Sequence, residues 1–232
     1  MLFYNFNYMI FMLPAILLMM LAQWYVNSAY KTWGQVLSRS RLSGGEAARR
    51  LIGIAGLYGV RIEPIPGNLT DHYDPRDKVL RLSSGVFQGN SVASLAIAAH
   101  ELGHALQDHE GYFPLRLRAA LVPAVNIGSW LGWILIIAGV VLGITDLAWM
   151  GLLVFSAGAV FALATLPVEL NASARARQLL TDSGLILGED EARGVNHVLN
   201  AAALTSVAAL AVAVSQLLYY GMLVFGMRND RD

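Results

Sequence analysis

Four long stretches of the chain contain no Asp, Glu, Lys or Arg and consist largely of Leu, Ala, Val and Ile. The first has its apolar part at about residues 8–26, and the others lie at 119–145, 147–168 and 198–227. A helix needs about 20 apolar residues to cross about 30 Å of hydrocarbon, and each stretch supplies them. The pattern therefore predicts four transmembrane helices, separated by polar segments and one tight hairpin.

The first stretch also has to be distinguished from a cleaved signal peptide. Its leading residues, MLFYNFNYM, contain no Lys or Arg, and no small-x-small cleavage site clearly follows the apolar run. Trp24, Tyr25 and Tyr30 lie where the aromatic belt of a membrane helix is expected. We therefore expect a membrane anchor that is retained.

The composition agrees with a membrane protein that has a modest polar part. Charged residues make up 14% of the chain, against about 25% in an ordinary soluble domain. The net charge is zero and there is no Lys/Arg-rich tract, so we expect no nucleic-acid partner. The chain contains no Cys, so a metal site must be built from His and carboxylates.

Four crossings place residues 27–118 and 169–197 on one face of the membrane. Fourteen of the sixteen Lys and Arg residues lie in those two segments, and only Arg228 and Arg231, in the C-terminal tail, lie on the other face. The positive-inside rule then predicts that the face with residues 27–118 is cytoplasmic. All five histidines are on this face.

The first polar segment predicts a helix followed by short strands. LSGGEAARRLIGIAGLYGV is amphipathic, and Ser43 with Glu46 matches a capping box. RIEPIPG and KVLRLSS predict strands, with DHYDPRD as a turn between extended pieces. Pro64 and Pro66 would confine the first strand to the edge of a sheet.

Two further helices are expected around the polar chemistry. One runs from Ser91 to about Gly111 and contains the pentapeptide HELGH. The other continues the third span through VELNASARARQLLTDSG, with Gly184 as its stop. The expected fold is a mainly α integral membrane protein with about four transmembrane helices and a small β element.

HELGH has the spacing of a catalytic zinc motif. Residues four apart share a helix face, so His100 and His104 can bind one ion at about 2.0–2.1 Å per nitrogen. Glu101 lies beside the ion, where it can take a proton from metal-bound water, whose pKa zinc lowers towards about 7. The helix around it is rich in apolar residues, and two His and a Glu are costly to bury there without a partner. We interpret the motif as a metal site rather than a chance match.

A catalytic zinc needs a third protein ligand. The metzincin pattern would place His at position 110, which is Glu110 here, and His109 is off the HELGH face. A distant carboxylate or His is therefore expected, and Glu169, at the end of the third span, lies on the same membrane face. The alternative is that Glu169 is an interfacial residue paired with Arg175 or Arg177.

Several segments closely resemble one known family. AAHELGHALQ, RLRAALVPAVNIGS, LPVELNASARA and VLNAAALT resemble, in order, the motifs of the bacterial YugP-like neutral zinc metallopeptidases. The similarity extends from about YDPRDKVLRLS to the fourth span. It implies an integral-membrane zinc endopeptidase, distantly related to HtpX-type gluzincins. By motif, it implies one Zn²⁺ per chain with His100, His104 and Glu169 as ligands and Glu101 as the catalytic base.

One position departs from the HtpX-type pattern. That group has an Asp four residues after the ligand Glu, whereas this chain has Ser173, which fits the YugP-like motif. Ser173 can still form a hydrogen bond behind a ligand, and Asn171 is an alternative. His197, Tyr112 and His72 are candidate oxyanion donors, although each is more simply explained as a surface or helix-end residue. The strand KVLRLSS is a hypothetical edge for binding an extended peptide.

These observations lead to one organisation of the chain. We expect an N-terminal anchor at 1–30, a zincin-like polar region at 31–118, a transmembrane hairpin at 119–168, a third-ligand helix and loop at 169–197, and a last transmembrane helix and tail at 198–232.

The expected protein is a multi-pass enzyme of the bacterial inner membrane, with its active site on the cytoplasmic face. Its expected substrates are peptides or proteins, membrane proteins among them, and the sequence leaves its oligomeric state open. The alternative is a non-catalytic metal-binding scaffold, against which Glu101 argues because metal binding needs only the ligands. A metal transporter is disfavoured because the four spans contain no ionisable Asp, Glu, Lys, Arg or His.

Overall fold

The computed structural model describes residues 6–229, and it is mainly α-helical, as predicted. The helices are α1 (Phe6–Trp33), α2 (Gly44–Ile54), α3 (Ser84–Gln88), α4 (Val92–His109), α5 (Phe113–Leu142), α6 (Thr145–Phe155), α7 (Ala157–Asp182) and α8 (Glu189–Asn229); the strands are β1 (Arg61–Ile65), β2 (His72–Asp74) and β3 (Val79–Ser83). The first five residues of the expected anchor and residues 230–232 of the expected tail lie outside the described residues.

Within residues 6–229, four helical segments are long and apolar enough to cross a membrane. They are Tyr8–Trp33, Phe113–Leu142, Thr145–Asp182 and Glu189–Met227. The third consists of α6 and α7, which meet at Ser156. The helix of the fourth begins at Glu189, nine residues before the expected position, because its polar first turns carry Glu189, Asp190 and Glu191, which favour a helix N-terminus. Hydrophobicity marks the apolar part of such a helix and not its start.

The chain forms two compact units. We call residues 6–22, 116–166 and 206–229 the membrane unit, and residues 23–115 and 167–205 the site unit. The core of the membrane unit contains Ile136, Leu152 and two adjacent tyrosines, Tyr219 and Tyr220. Small residues bring α5 and α6 together: a Cβ placed at Gly132 would lie 2.6 Å from the backbone nitrogen of Phe155.

The site unit contains a three-stranded sheet in the order β1-β3-β2. β1 runs parallel to β3, and β2 runs antiparallel to it. The predicted strands RIEPIPG and KVLRLSS are confirmed, and β1, which contains Pro64, is an edge strand as expected. The prediction for DHYDPRD is wrong in part, because His72–Asp74 forms β2. The prediction that KVLRLSS offers a free edge is also wrong, since β3 is the central strand and is paired on both sides.

The helix that contains HELGH lies at the centre of the site unit. α4 begins after Ser91, whose side chain accepts a hydrogen bond from the backbone N–H of Ser94. Its alanines are buried, as are Leu95 and Leu102, and the helix packs against α2 and α3. The predicted Ser43–Glu46 capping box is present at the start of α2. These apolar contacts hold α4 rigidly and fix the direction of its polar side chains.

Candidate metal centre

α4 presents His100, Glu101 and His104 from an almost completely buried surface. His100 and Glu101 are 8% and 9% exposed, although both can carry charge. Burial of such groups is unfavourable unless each finds a polar partner or an ion. The helix therefore supplies the polar groups of a site and not part of a solvated face.

α7 supplies the carboxylate opposite these histidines. Gly103, inside HELGH, lies so close to α7 that a Cβ there would overlap the backbone of Ala172. At this close approach, Glu169 Oε2 lies 3.2 Å from His100 Nε2 and 3.5 Å from His104 Nε2. Within residues 6–229, His100, His104 and Glu169 are the group whose donor atoms can hold a metal ion, all within 4.8 Å of one another.

The spacing of these three donor atoms fits zinc. Two ligands at about 2.0–2.1 Å from a tetrahedral ion lie about 3.3 Å apart, close to both observed nitrogen-to-oxygen distances. Two imidazoles and one carboxylate form a set that zinc accepts, and three protein ligands leave one coordination position for water or substrate.

Gln107 determines which ring nitrogen of His104 carries the proton and which one keeps a lone pair for a metal ion. Its side chain is fully buried, and its Nε2 donates to the carbonyl of Val168 at 2.8 Å, which identifies that atom as the amide nitrogen. The remaining amide oxygen, Oε1, lies 3.0 Å from His104 Nδ1. Because an amide oxygen only accepts, Nδ1 carries the proton, and in the neutral imidazole Nε2 keeps the lone pair that faces Glu169.

Gln107 also begins a chain of hydrogen bonds that continues along α7. Its Nε2 donates to Asn171 Oδ1 at 3.0 Å, and the same oxygen accepts from Arg175 Nε at 2.7 Å. The guanidinium of Arg175 binds both carboxylate oxygens of Glu110, each at 2.7 Å. The chain joins the end of α4 to α7 on both sides of Glu169, which restricts how far the two helices can move apart.

Hydrogen-bond partners from other elements also contact His100 and Glu101. Ser173 Oγ lies 3.2 Å from His100 Nδ1, the nitrogen that faces away from Glu169. The backbone N–H of Tyr73, in β2, donates to Glu101 Oε2 at 3.1 Å. The Tyr73 hydroxyl donates to Asp108 Oδ2 at 2.9 Å, so the short strand is attached to α4 at two points.

The carboxylates of the site favour positive charge there. Burial, the largest influence, disfavours the charged form of His104, but the Glu169 carboxylate and the charge of Glu101 outweigh it, and the pKa of His104 is raised above its ordinary value. Asp71 lies at the same side of the site, and burial raises the pKa of its carboxyl, partly offset by hydrogen bonds from Ser83. A cavity that favours a proton on an imidazole also favours a cation.

The other sequence candidates lie outside the cluster of donor atoms. His72 is exposed on β2, with Nδ1 2.9 Å from the carbonyl of Thr70, and His109 is exposed at the last turn of α4. His197 Nδ1 accepts from Trp33 Nε1 at 3.0 Å, and Tyr112 lies with its ring 6.0 Å from the Arg175 guanidinium carbon. These contacts explain His197 and Tyr112 as packing residues, and their role as oxyanion donors stays a prediction.

Two residues of the site were missed by reasoning from the sequence. Gln107 is three residues after His104, a spacing at which helix side chains meet, so a signal for its contact was present. No sequence pattern indicated the contact between the backbone N–H of Tyr73 and Glu101, because that contact depends on the formation of strand β2. The alternative pairing of Glu169 with Arg175 or Arg177 is not what the structure has, since Arg175 binds Glu110 and Arg177 binds Asn196 and Asn200.

Comparisons with known proteins agree with the chemistry of this site. The chain matches, over residues 8–225, a family model described as "Putative neutral zinc metallopeptidase". It is 43% identical over 209 residues to the "Putative membrane protease YugP" of Bacillus subtilis (strain 168), an alignment that covers 90% of this chain and 92% of that protein. No solved structure is significantly similar to the chain. The chain therefore belongs to the family described as putative neutral zinc metallopeptidases.

Proposed function

We propose that the protein is a membrane-embedded, zinc-dependent endopeptidase that hydrolyses peptide bonds at the membrane surface. The proposal rests on one observation above all: Glu169 Oε2 lies within 3.5 Å of the Nε2 atoms of both HELGH histidines. His100, His104 and Glu169 would hold one zinc ion per chain. Family membership supports the choice of metal and of reaction class.

A zinc ion held at such a site supplies Lewis acidity, which acidifies water and polarises a peptide carbonyl. The chain itself orients the two histidines through hydrogen bonds to the ring nitrogens that face away from the proposed zinc position. Gln107 holds the Nδ1 proton of His104, and Ser173 contacts Nδ1 of His100, so that each Nε2 is directed towards Glu169.

Glu101 acts in this proposal as general base and then as general acid. The Tyr73 N–H fixes the direction of its carboxylate by bonding Oε2. The carboxylate takes a proton from the attacking water and returns it to the amine of the departing segment, which balances the hydrolysis. Glu101 lies next to a ligand in the sequence and is itself not in the donor cluster, as a base requires.

The site is proposed to face the cytoplasm, at the inner membrane of a bacterium. The charge bias supports this orientation, since fourteen of the sixteen Lys and Arg lie in the two segments that contain the site. The five-part organisation expected from the sequence is retained in the proposal, with α7 as the third-ligand helix. The substrates are peptides or proteins, including membrane proteins that reach this surface.

The test compares Glu101→Gln with the parent protein, and Glu189→Gln, an exposed residue at the start of α8, is the matched control. We expect Glu101→Gln to keep its zinc and to lose cleavage of an unstructured peptide by about 10²–10⁴-fold. Glu189→Gln should cleave like the parent. Cleavage that survives in Glu101→Gln would contradict the role of this base. A zinc-loaded parent that cleaves no peptide or protein would favour the metal-binding scaffold instead.

A further inference from the structure

A cavity of about 200 Å³ opens beside the proposed catalytic residues in the site unit. The side chains of His100 and Glu101 form one wall of it. Its volume is roughly that of seven water molecules, which is room for one large side chain and not for a helix. Whatever side chain enters this cavity therefore lies directly against the reacting groups.

Most of the remaining wall is apolar and comes from long helices. Val26 of α1, Ile97 of α4, and Val198, Leu199 and Ala202 of α8 line it. Burial of apolar surface against such a wall contributes about 25 cal/mol per Å², whereas a charged side chain would lose its hydration there. The lining selects for an apolar side chain.

Two carboxylates on the wall act against acidic side chains. Besides Glu101, the wall includes Asp71, whose Oδ1 accepts from the backbone N–H of Ser83 at 2.7 Å. The Ser83 hydroxyl lies 3.1 Å and 3.0 Å from the two oxygens of Asp71. Asp71 is thus held in place by Ser83, and it adds a negative charge that repels a substrate carboxylate.

One residue of the cavity wall, Leu69, has an unfavourable backbone conformation. Leu69 lines the cavity and has φ of +54°, in the left-handed region that costs a residue with a Cβ about 1–2 kcal/mol. Strain of this kind persists where the surroundings demand it and is concentrated at functional sites. Here the strained residue places part of its apolar side chain at the cavity, while Leu69 as a whole stays 38% exposed.

We propose that this cavity, if the peptidase function proposed above holds, is the pocket that receives an uncharged, apolar side chain flanking the scissile peptide bond. The substrates are then peptides with a residue such as Leu or Phe at the cleaved bond. Acidic residues are excluded from that position by Asp71 and Glu101.

The test uses quenched fluorescent peptides that differ only at the two residues flanking one bond, with Phe, Leu, Trp, Ala, Glu or Lys placed on either side. For the full-length, zinc-loaded protein we expect Phe or Leu on one side to give a kcat/KM about 10–200-fold above Ala, with Glu lowest. Ala202→Phe fills the cavity and should reduce the ratio of Phe to Ala at least tenfold while zinc per chain is retained. Ala209→Phe, an exposed position on the same helix, is the control and should leave the ratio unchanged.

Two further measurements test the pocket proposal separately from the peptidase proposal. Val198→Ala enlarges the cavity and should shift the preference towards Trp, which tests the pocket even if Ala202→Phe fails to fold. Binding of the same peptides to Glu101→Gln, by fluorescence anisotropy, should show the same order as cleavage.

The outcomes distinguish the two proposals. Selective binding of the Phe peptide without any cleavage by the parent would contradict the peptidase and support the pocket. Cleavage with equal rates for Phe, Ala and Glu, a preference for Lys, or a preference that Ala202→Phe leaves unchanged would overturn the pocket.

Discussion

Both units of the protein use glycine to bring helix backbones into contact, but for different purposes. In the membrane unit, Gly132 and Gly139 let α5 pack against α6, where the neighbours are apolar or backbone atoms. In the site unit, Gly103 lets α4 approach α7 at Ala172, three residues from Glu169. The first contact forms a packed helix pair, and the second sets the distance between metal-binding groups on two helices.

The polar groups around the two contacts explain this difference. The site unit buries Gln107 completely and satisfies it through His104, Val168 and Asn171. Each of these bonds ties α4 to a residue close to Glu169 or to a ligand itself. A displacement that the membrane unit would absorb as looser packing must therefore alter ligand geometry in the site unit.

The largest effect is expected when the two glycine contacts are filled in turn. Gly103→Ala and Gly132→Ala each force a Cβ against a neighbouring backbone, and both should lower stability by about 1–3 kcal/mol. Only Gly103→Ala should also weaken zinc binding, by about 100-fold, because it moves Glu169 away from the histidines. Thermal unfolding in detergent and zinc competition with a chelator measure the two quantities.

Gly53→Ala is the control for these variants, since a Cβ at that position of α2 meets nothing within 4 Å. It should leave zinc affinity unchanged and raise stability by at most about 1 kcal/mol, because Ala favours a helix over Gly. Equal loss of zinc in Gly103→Ala and Gly132→Ala would mean that the contact at Gly103 has no special relation to the site.

A smaller effect is expected at Gln107, where the contact with His104 can be separated from the contacts with α7. Gln107→Leu removes both, and it should lower zinc affinity about 10–100-fold. Gln107→Glu keeps an oxygen that accepts from His104 Nδ1 but loses the donor to Val168 and Asn171. Its zinc affinity should therefore recover towards the parent while its stability stays low. If the two variants bind zinc equally weakly, Gln107 acts only through packing.

Local periodicity was sufficient to predict the parts of the site that lie on one helix. The four-residue spacing of HELGH places His100 and His104 on one helix face. The capping box predicts the start of α2, because both of its residues lie within four positions of each other. Glu169 could be proposed as the third ligand by counting membrane crossings, because the count places it on the same face of the membrane as HELGH. The structure adds what topology alone does not provide, a distance of 3.2 Å to His100.

Contacts between distant segments could not be predicted in the same way. Gln107 bonds Val168 and Asn171, which are 61 and 64 residues away in the chain, and neither partner is marked by a local pattern. Strand β2 has three residues, which are too few to show an alternation of polar and apolar positions. Neither its pairing with β3 nor its hydrogen bond to Glu101 could therefore be predicted from the sequence. The start of α8 is polar, so hydropathy missed it.

If α4 and α7 together form one zinc site, the zinc content per chain depends on Glu169 as well as on the HELGH histidines. Detergent-purified parent protein would be measured beside Glu169→Ala and the exposed control Glu189→Ala, all prepared identically. We expect about one zinc per chain in the parent and in Glu189→Ala, and far less in Glu169→Ala. Parent-like zinc in Glu169→Ala would contradict it, and the third ligand would then be sought among His72, His109 and His197.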